Sequence, residues 1–131
     1  MTLLCKLLIG SQLVMSSLFS IGICQAPEPP KIEIPIMLQK IGWCESENKQ
    51  FNPDGSVLRG KINPRDLGKF QINLDFHEQK AKELGFDLFL EKDNEAYALY
   101  LFYSVGTSPW NWSKNCWVKI PDNSPLLPAN Q

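Results

Sequence analysis

A glutamate stands in the middle of an apolar helical stripe, and a chain can carry one there only for a reason. Residues 34–47 read IPIMLQKIGWCESE. Pro35 is tolerated in the first turn of a helix, so a helix is predicted from about there to about Glu47. At about 100° per residue, Ile34, Met37, Leu38, Ile41 and Cys44 share one face. Glu45 falls in the centre of that face, and Glu47 on the opposite side, toward water. A carboxylate aimed inward is costly unless it has a partner or a use. At this point two readings stand: a structural carboxylate bonded to backbone amides or a basic residue, and a chemical one.

The rest of the chain limits where that helix works. Lys6 is the one charged residue of the first 26, and the 18 residues from Leu7 to Cys24 are uncharged. Residues 1–26 read as a secretory signal peptide, with an uncleaved membrane anchor as the alternative. Residues 27–33 are proline-rich and polar and read as a linker. The domain is expected over 34–120. The tail, 121–131, has three prolines and no periodicity and is expected to be flexible. One compact domain, expected to be monomeric, fits 131 residues. The net charge of −1 and the lack of a basic run give no footprint for nucleic-acid binding.

Two cysteines remain outside the leader, Cys44 and Cys116. In an exported domain an even pair suggests a disulfide, and two buried free thiols are the alternative. Two cysteines and the single histidine, His77, lack the spacing of a metal site. No cofactor is expected.

Beyond the first helix, Asn52-Pro53-Asp54-Gly55 is a strong turn. Ser56–Arg59 and Lys61–Ile62 are candidate strands of a small hairpin around Gly60. Gly68 suits a positive φ or a close approach to a ligand. Asn73 can cap a second helix that Gly85 stops, with His77 on its exposed side. Asp93 can cap a third helix, apolar on most sides, ended by Gly106. Ser108 and Pro109 can open a short last one. The fold class is therefore α+β, predominantly α, with a small hairpin beside the glutamate-bearing helix.

The order of a helix ending in Cys44-Glu45-Ser46, a turn-rich excursion, then Gly68-Lys69-Phe70-Gln71-Ile72-Asn73 resembles the lysozyme-like superfamily. It is most similar to the lytic transglycosylases with an SLT domain, and also to the resuscitation-promoting factors. The resemblance covers about residues 35–117. It implies that Glu45 is the catalytic acid and that Ser46, Gly68, Phe70, Gln71 and Asn73 line a sugar groove. Cys44 matches a cysteine that is disulfide-bonded in the resuscitation-promoting factors. The families' later Tyr-Asn-Ala-Gly has a counterpart in Tyr103–Gly106, with Ser104 in place of the asparagine. The domain lacks part of their usual C-terminal lobe.

The implied activity is cleavage of the β-1,4 bond between N-acetylmuramic acid and N-acetylglucosamine in peptidoglycan. In those enzymes one glutamate serves, the substrate's N-acetyl group assists, and its own 6-hydroxyl attacks to leave an anhydro-sugar. A second carboxylate would instead indicate a hydrolytic muramidase; Asp54 and Asp66 are the candidates. Pyranose faces stack on aromatic rings, and Tyr103 and Trp110 are the residues expected in the groove. The rival readings are a non-catalytic glycan-binding module and an accessory domain of an envelope secretion or pilus machine. The expected location is extracytoplasmic.

Overall fold

The computed structural model describes residues 33–128. The expected leader, and all but the last residue of the expected linker, lie outside the described residues. Helix α1 spans Ile36–Ser46 and ends where the sequence places its end. Glu47 and Asn48 both adopt left-handed φ, and the Asn48 N–H reaches back to the Gly42 carbonyl at 3.1 Å. Left-handed residues of this kind commonly close helices.

The hairpin differs from the expected one. Strands β1 (Asp66–Leu67) and β2 (Ile72–Asn73) pair antiparallel, with Leu67 opposite Ile72. Single bridges join Phe51 to Val57 and Arg59 to Leu67. Pairing follows burial: Leu67 and Ile72 are both buried, whereas Ile62 is fully exposed and has no apolar partner to face. Gly68, at φ 71°, and Gln71, at φ 46°, form the turn between the strands.

Helix α2 (Leu74–Glu83) follows directly. Asn73 Oδ1 caps it by accepting the Asp75 N–H at 2.9 Å, as its sequence predicts. Helix α3 (Glu91–Val105) is capped at Leu90, three residues before the expected cap Asp93. Asp93 is inside it and accepts the Asp87 N–H instead, at 2.9 Å. A 3₁₀ segment, Ser108–Ser113, carries Pro109 at its start and leads into the short α4 (Lys114–Trp117). The molecule is α+β with helix predominant, its small sheet being the antiparallel pair β1–β2.

Leu38, Ile41, Leu67, Phe70, Tyr97 and Trp110 occupy the core. The enclosed helix is α1 and not, as its composition suggested, α3. Five consecutive α1 residues, Leu38 to Gly42, are buried, while Tyr100, Tyr103 and Val105 of α3 are exposed. The reason is that α4, the 3₁₀ segment and α3 all pack on α1. Most of residues 121–128 are exposed, but Leu127 is buried, and Asp122 pairs with the buried Lys40 side chain on α1. A lysine buried on a helix needs such a partner. Residues 129–131 lie outside the described residues.

Two buried amides tie the hairpin to the helical part. Gln50 Oε1 accepts the Lys69 N–H at 2.7 Å, and its Nε2 donates to the Leu88 and Phe89 carbonyls. Asn94, fully buried on α3, accepts the Phe70 N–H at 3.2 Å and donates to the Leu67 and Leu88 carbonyls at 3.1 Å each. Removing one side of such a network strands the other. Asn94→Leu, which keeps the number and branching of the side-chain heavy atoms, is expected to lower unfolding stability by about 2–3 kcal/mol. Urea denaturation with an unchanged slope would show this as a lower midpoint.

Candidate active site

A groove of about 1410 Å³ runs between the end of α1, the turn-rich segment after it, the hairpin, the start of α2 and the 3₁₀ segment. Glu45 lines it, half-buried. Glu47 points to solvent and pairs with Lys49. The helical phase read from the sequence thus distinguishes the two carboxylates correctly.

One hydroxyl holds Glu45. Ser113 Oγ donates to Glu45 Oε1 at 2.6 Å and also lies 3.1 Å from the Trp110 carbonyl. Burial raises the Glu45 pKa above the ordinary carboxylate value, the Ser113 hydrogen bond opposes that, and the negative charge of Asp66 adds to the rise. A carboxyl in this setting holds a proton to higher pH than a free glutamate does. With Oε1 taken by Ser113, Oε2 is the oxygen left to carry that proton toward a ligand.

Asp66 lines the same groove. Its Oδ1 accepts from Asn73 Nδ2 at 2.7 Å and from Asn63 Nδ2 at 3.4 Å. Asp54 does not line it; that carboxylate closes its own turn by accepting from Ser56. Of the two candidates for a second acid, only Asp66 faces the groove that Glu45 faces.

The other residues singled out by sequence divide three ways. Ser46, Gln71, Asn73 and Trp110 line the groove, yet each is also tied down. Ser46 Oγ lies 2.6 Å from the Lys69 carbonyl and links α1 to the hairpin. Gln71 Nε2 donates to the Gly68 carbonyl at 2.8 Å across the strand turn. Asn73 caps α2 and holds Asp66. Trp110 is nearly buried and donates its Nε1–H to the Phe70 carbonyl at 2.9 Å. Gly68 and Phe70 do not line the groove. Gly68 is buried with the Gln50 amide packed where a side chain would start, so its glycine serves packing and a positive φ. Phe70 is a core residue set edge-on to Trp110 at 6.4 Å. Tyr103 is 74% exposed, packs on Phe102 and lies outside the groove lining. Its place as a wall aromatic falls to Trp112 and Phe76, both strongly exposed at the groove.

His77, expected on an exposed face, is half-buried at the groove with Nδ1 3.2 Å from the Tyr97 hydroxyl. Trp112, Phe76 and His77 carry no pattern that marks them. Ser113 did leave a trace. Cys44 and Cys116 form a disulfide, with Cα atoms 6.0 Å apart. The residue after Cys44 is Glu45, and the residue one helical turn before Cys116 is Ser113, so a Cys44–Cys116 bond brings the two toward each other.

Among the described residues, no group of three or more His, Cys, Asp or Glu side chains is placed to hold a metal ion. None of the helices described there is long and apolar enough to cross a membrane. No family model, no curated protein and no solved structure matches this chain.

Proposed function

We propose that this protein is a lysozyme-like glycosidase of peptidoglycan that cleaves the β-1,4 bond between N-acetylmuramic acid and N-acetylglucosamine, with Glu45 as general acid. The observation that carries the reading is a half-buried glutamate with a raised pKa, oriented by a hydroxyl, at the wall of a large groove. Glycosidic cleavage requires an acid that is protonated near working pH and aimed at the leaving oxygen. Exposed rings of Trp112 and Phe76 offer pyranose faces a surface. The disulfide fits an oxidising, extracytoplasmic compartment.

Glu45 gives its proton from Oε2 to the leaving oxygen, and positive charge grows at the anomeric carbon. Asp66, as a carboxylate in the same groove, favours that charge electrostatically. Two fates follow. The sugar's own 6-hydroxyl attacks and Glu45 recovers its proton from it, leaving an anhydro end. Alternatively water attacks, with Asp66 as the second carboxylate. The position of Asp66 supports the hydrolytic reading beside the single-glutamate one. Mass spectrometry of products from purified cell wall separates them, since anhydro ends lack one water relative to reducing ends. Wall that stays intact would remove both.

The groups around Glu45 make a pH prediction with opposite signs. An acid must be protonated, so activity falls as pH rises through the Glu45 pKa. The Ser113 hydrogen bond lowers that pKa and the charge of Asp66 raises it. Ser113→Ala is therefore expected to move the alkaline limb of kcat/KM to higher pH, and Asp66→Asn to lower pH. Initial rates across pH on soluble glycan strands read both shifts. Limbs that stay in place in both variants would show that Glu45 is not the titrating acid.

A further inference from the structure

We infer that His77 and Phe76, consecutive at the start of α2, form a sugar subsite of the groove in which the His77 Nε2–H donates to an uncharged oxygen of an N-acetylhexosamine unit. The ligand class rests on the glycosidase reading above; the state of the ring does not.

The argument starts from Tyr97. It is fully buried on α3, and a buried hydroxyl needs a partner. Among the described residues the partner is His77 Nδ1, 3.2 Å away. Nδ1 is also the acceptor that the phenolic proton requires, so the hydroxyl donates and Nδ1 carries no proton. In a neutral imidazole the proton is then on Nε2. The reverse tautomer would leave the Tyr97 proton without an acceptor in the core. Burial lowers the His77 pKa and so favours the neutral ring.

The ring is held edge-on to Tyr97, with centroids 5.7 Å apart. Nε2 has no protein partner among the described residues and is not one of the buried unpaired atoms, while the residue lines the groove. It is a donor held in place, with no protein acceptor among the described residues. Phe76 beside it leaves a phenyl ring exposed at the same groove. A ring and a neutral donor suit a pyranose with its hydroxyl or N-acetyl oxygen.

His77 is the single histidine of the chain, so ¹⁵N-histidine labelling gives one ring spectrum. The expected spectrum at neutral pH has protonated Nε2 and bare Nδ1, and Tyr97→Phe turns it into a tautomer mixture. Adding soluble, peptide-free peptidoglycan strands to Glu45→Gln protein should shift Nε2. His77→Phe should raise KM for those strands about 10-fold with kcat nearly kept, and His77→Gln should recover part of the loss. A protonated Nδ1 overturns the inference in wild-type protein, whatever the variants do. Strands that bind and are cut without moving the ring, or an unchanged KM in a folded His77→Phe, overturn the subsite alone. Strands that neither bind nor are cut by wild type bring down the glycosidase reading and the subsite with it.

Discussion

Glu45→Gln is expected to lower cleavage of purified cell wall by about 10²–10⁴-fold, the usual contribution of a positioned general acid. Gln keeps the shape and can still accept the Ser113 hydrogen bond at its Oε1, but it has no proton to give to the leaving oxygen. The fold should survive, and the sign of the stability change follows from the pKa. The folded-state pKa of Glu45 is raised, so the folded protein binds this proton more tightly than the unfolded chain does. Stability from this group is therefore present at low pH and lost as pH rises through the folded pKa. Above that folded pKa the wild type holds a partly desolvated carboxylate that the glutamine variant lacks, so at such pH Glu45→Gln should melt no lower than wild type. Glu47→Gln is the matched control. Its carboxylate is exposed and, among the described residues, pairs with Lys49, so wall clearance should be unchanged. Turbidity clearance and circular dichroism on both variants decide the matter. An inactive Glu47→Gln beside an active Glu45→Gln would reverse the assignment.

Removing the Cys44–Cys116 bond should have the largest effect on stability. The bond closes a loop with a sequence separation of 72 residues. In the chain-entropy model such a closure contributes about 4 kcal/mol, by restricting the unfolded chain. For a domain of this size, a double Cys→Ala variant should then lose roughly 15–30 °C in Tm. The bond also has a local task. It fastens α4 to the end of α1, one helical turn from the serine that orients Glu45. Well below its lowered Tm, the double variant should therefore lose more activity than stability alone explains. Thermal melts with and without reductant give the first result, and non-reducing peptide mapping should recover the linked pair. Two free thiols in natively exported protein would refute the bond and the compartment argument together.

Much of the site was legible because it is local. The phase of Glu45 against Glu47 follows from 3.6 residues per turn over a dozen residues. The cap at Asn73 and the turn at Asn52–Gly55 are short-range hydrogen-bond chemistry, and they form where those residues stand. The cysteine pair was legible for another reason: once the leader is set aside, two cysteines leave one intramolecular pairing.

The misreadings share a cause. The strand pairing depends on whether Ile62 or Ile72 finds an apolar face, and both segments carry similar local signals. Tyr103 and Trp112 are both aromatic and near helix ends, and only packing turns one of them to the groove. Helix α3 reads as apolar on most sides, yet α1 is the more enclosed, because α4, the 3₁₀ segment and α3 itself pack on it.

The amino-acid sequence by itself determined which of the two glutamates faces inward, the turn before the hairpin, the cap of α2 and the cysteines available to bridge. Tertiary structure alone decided that Ser113 bonds to Glu45, that Asp66 and His77 share its groove, and which helix is buried. The first set depends on backbone geometry within a turn or two. The second depends on which distant apolar surfaces cover one another, a competition among whole-chain arrangements that no short window contains.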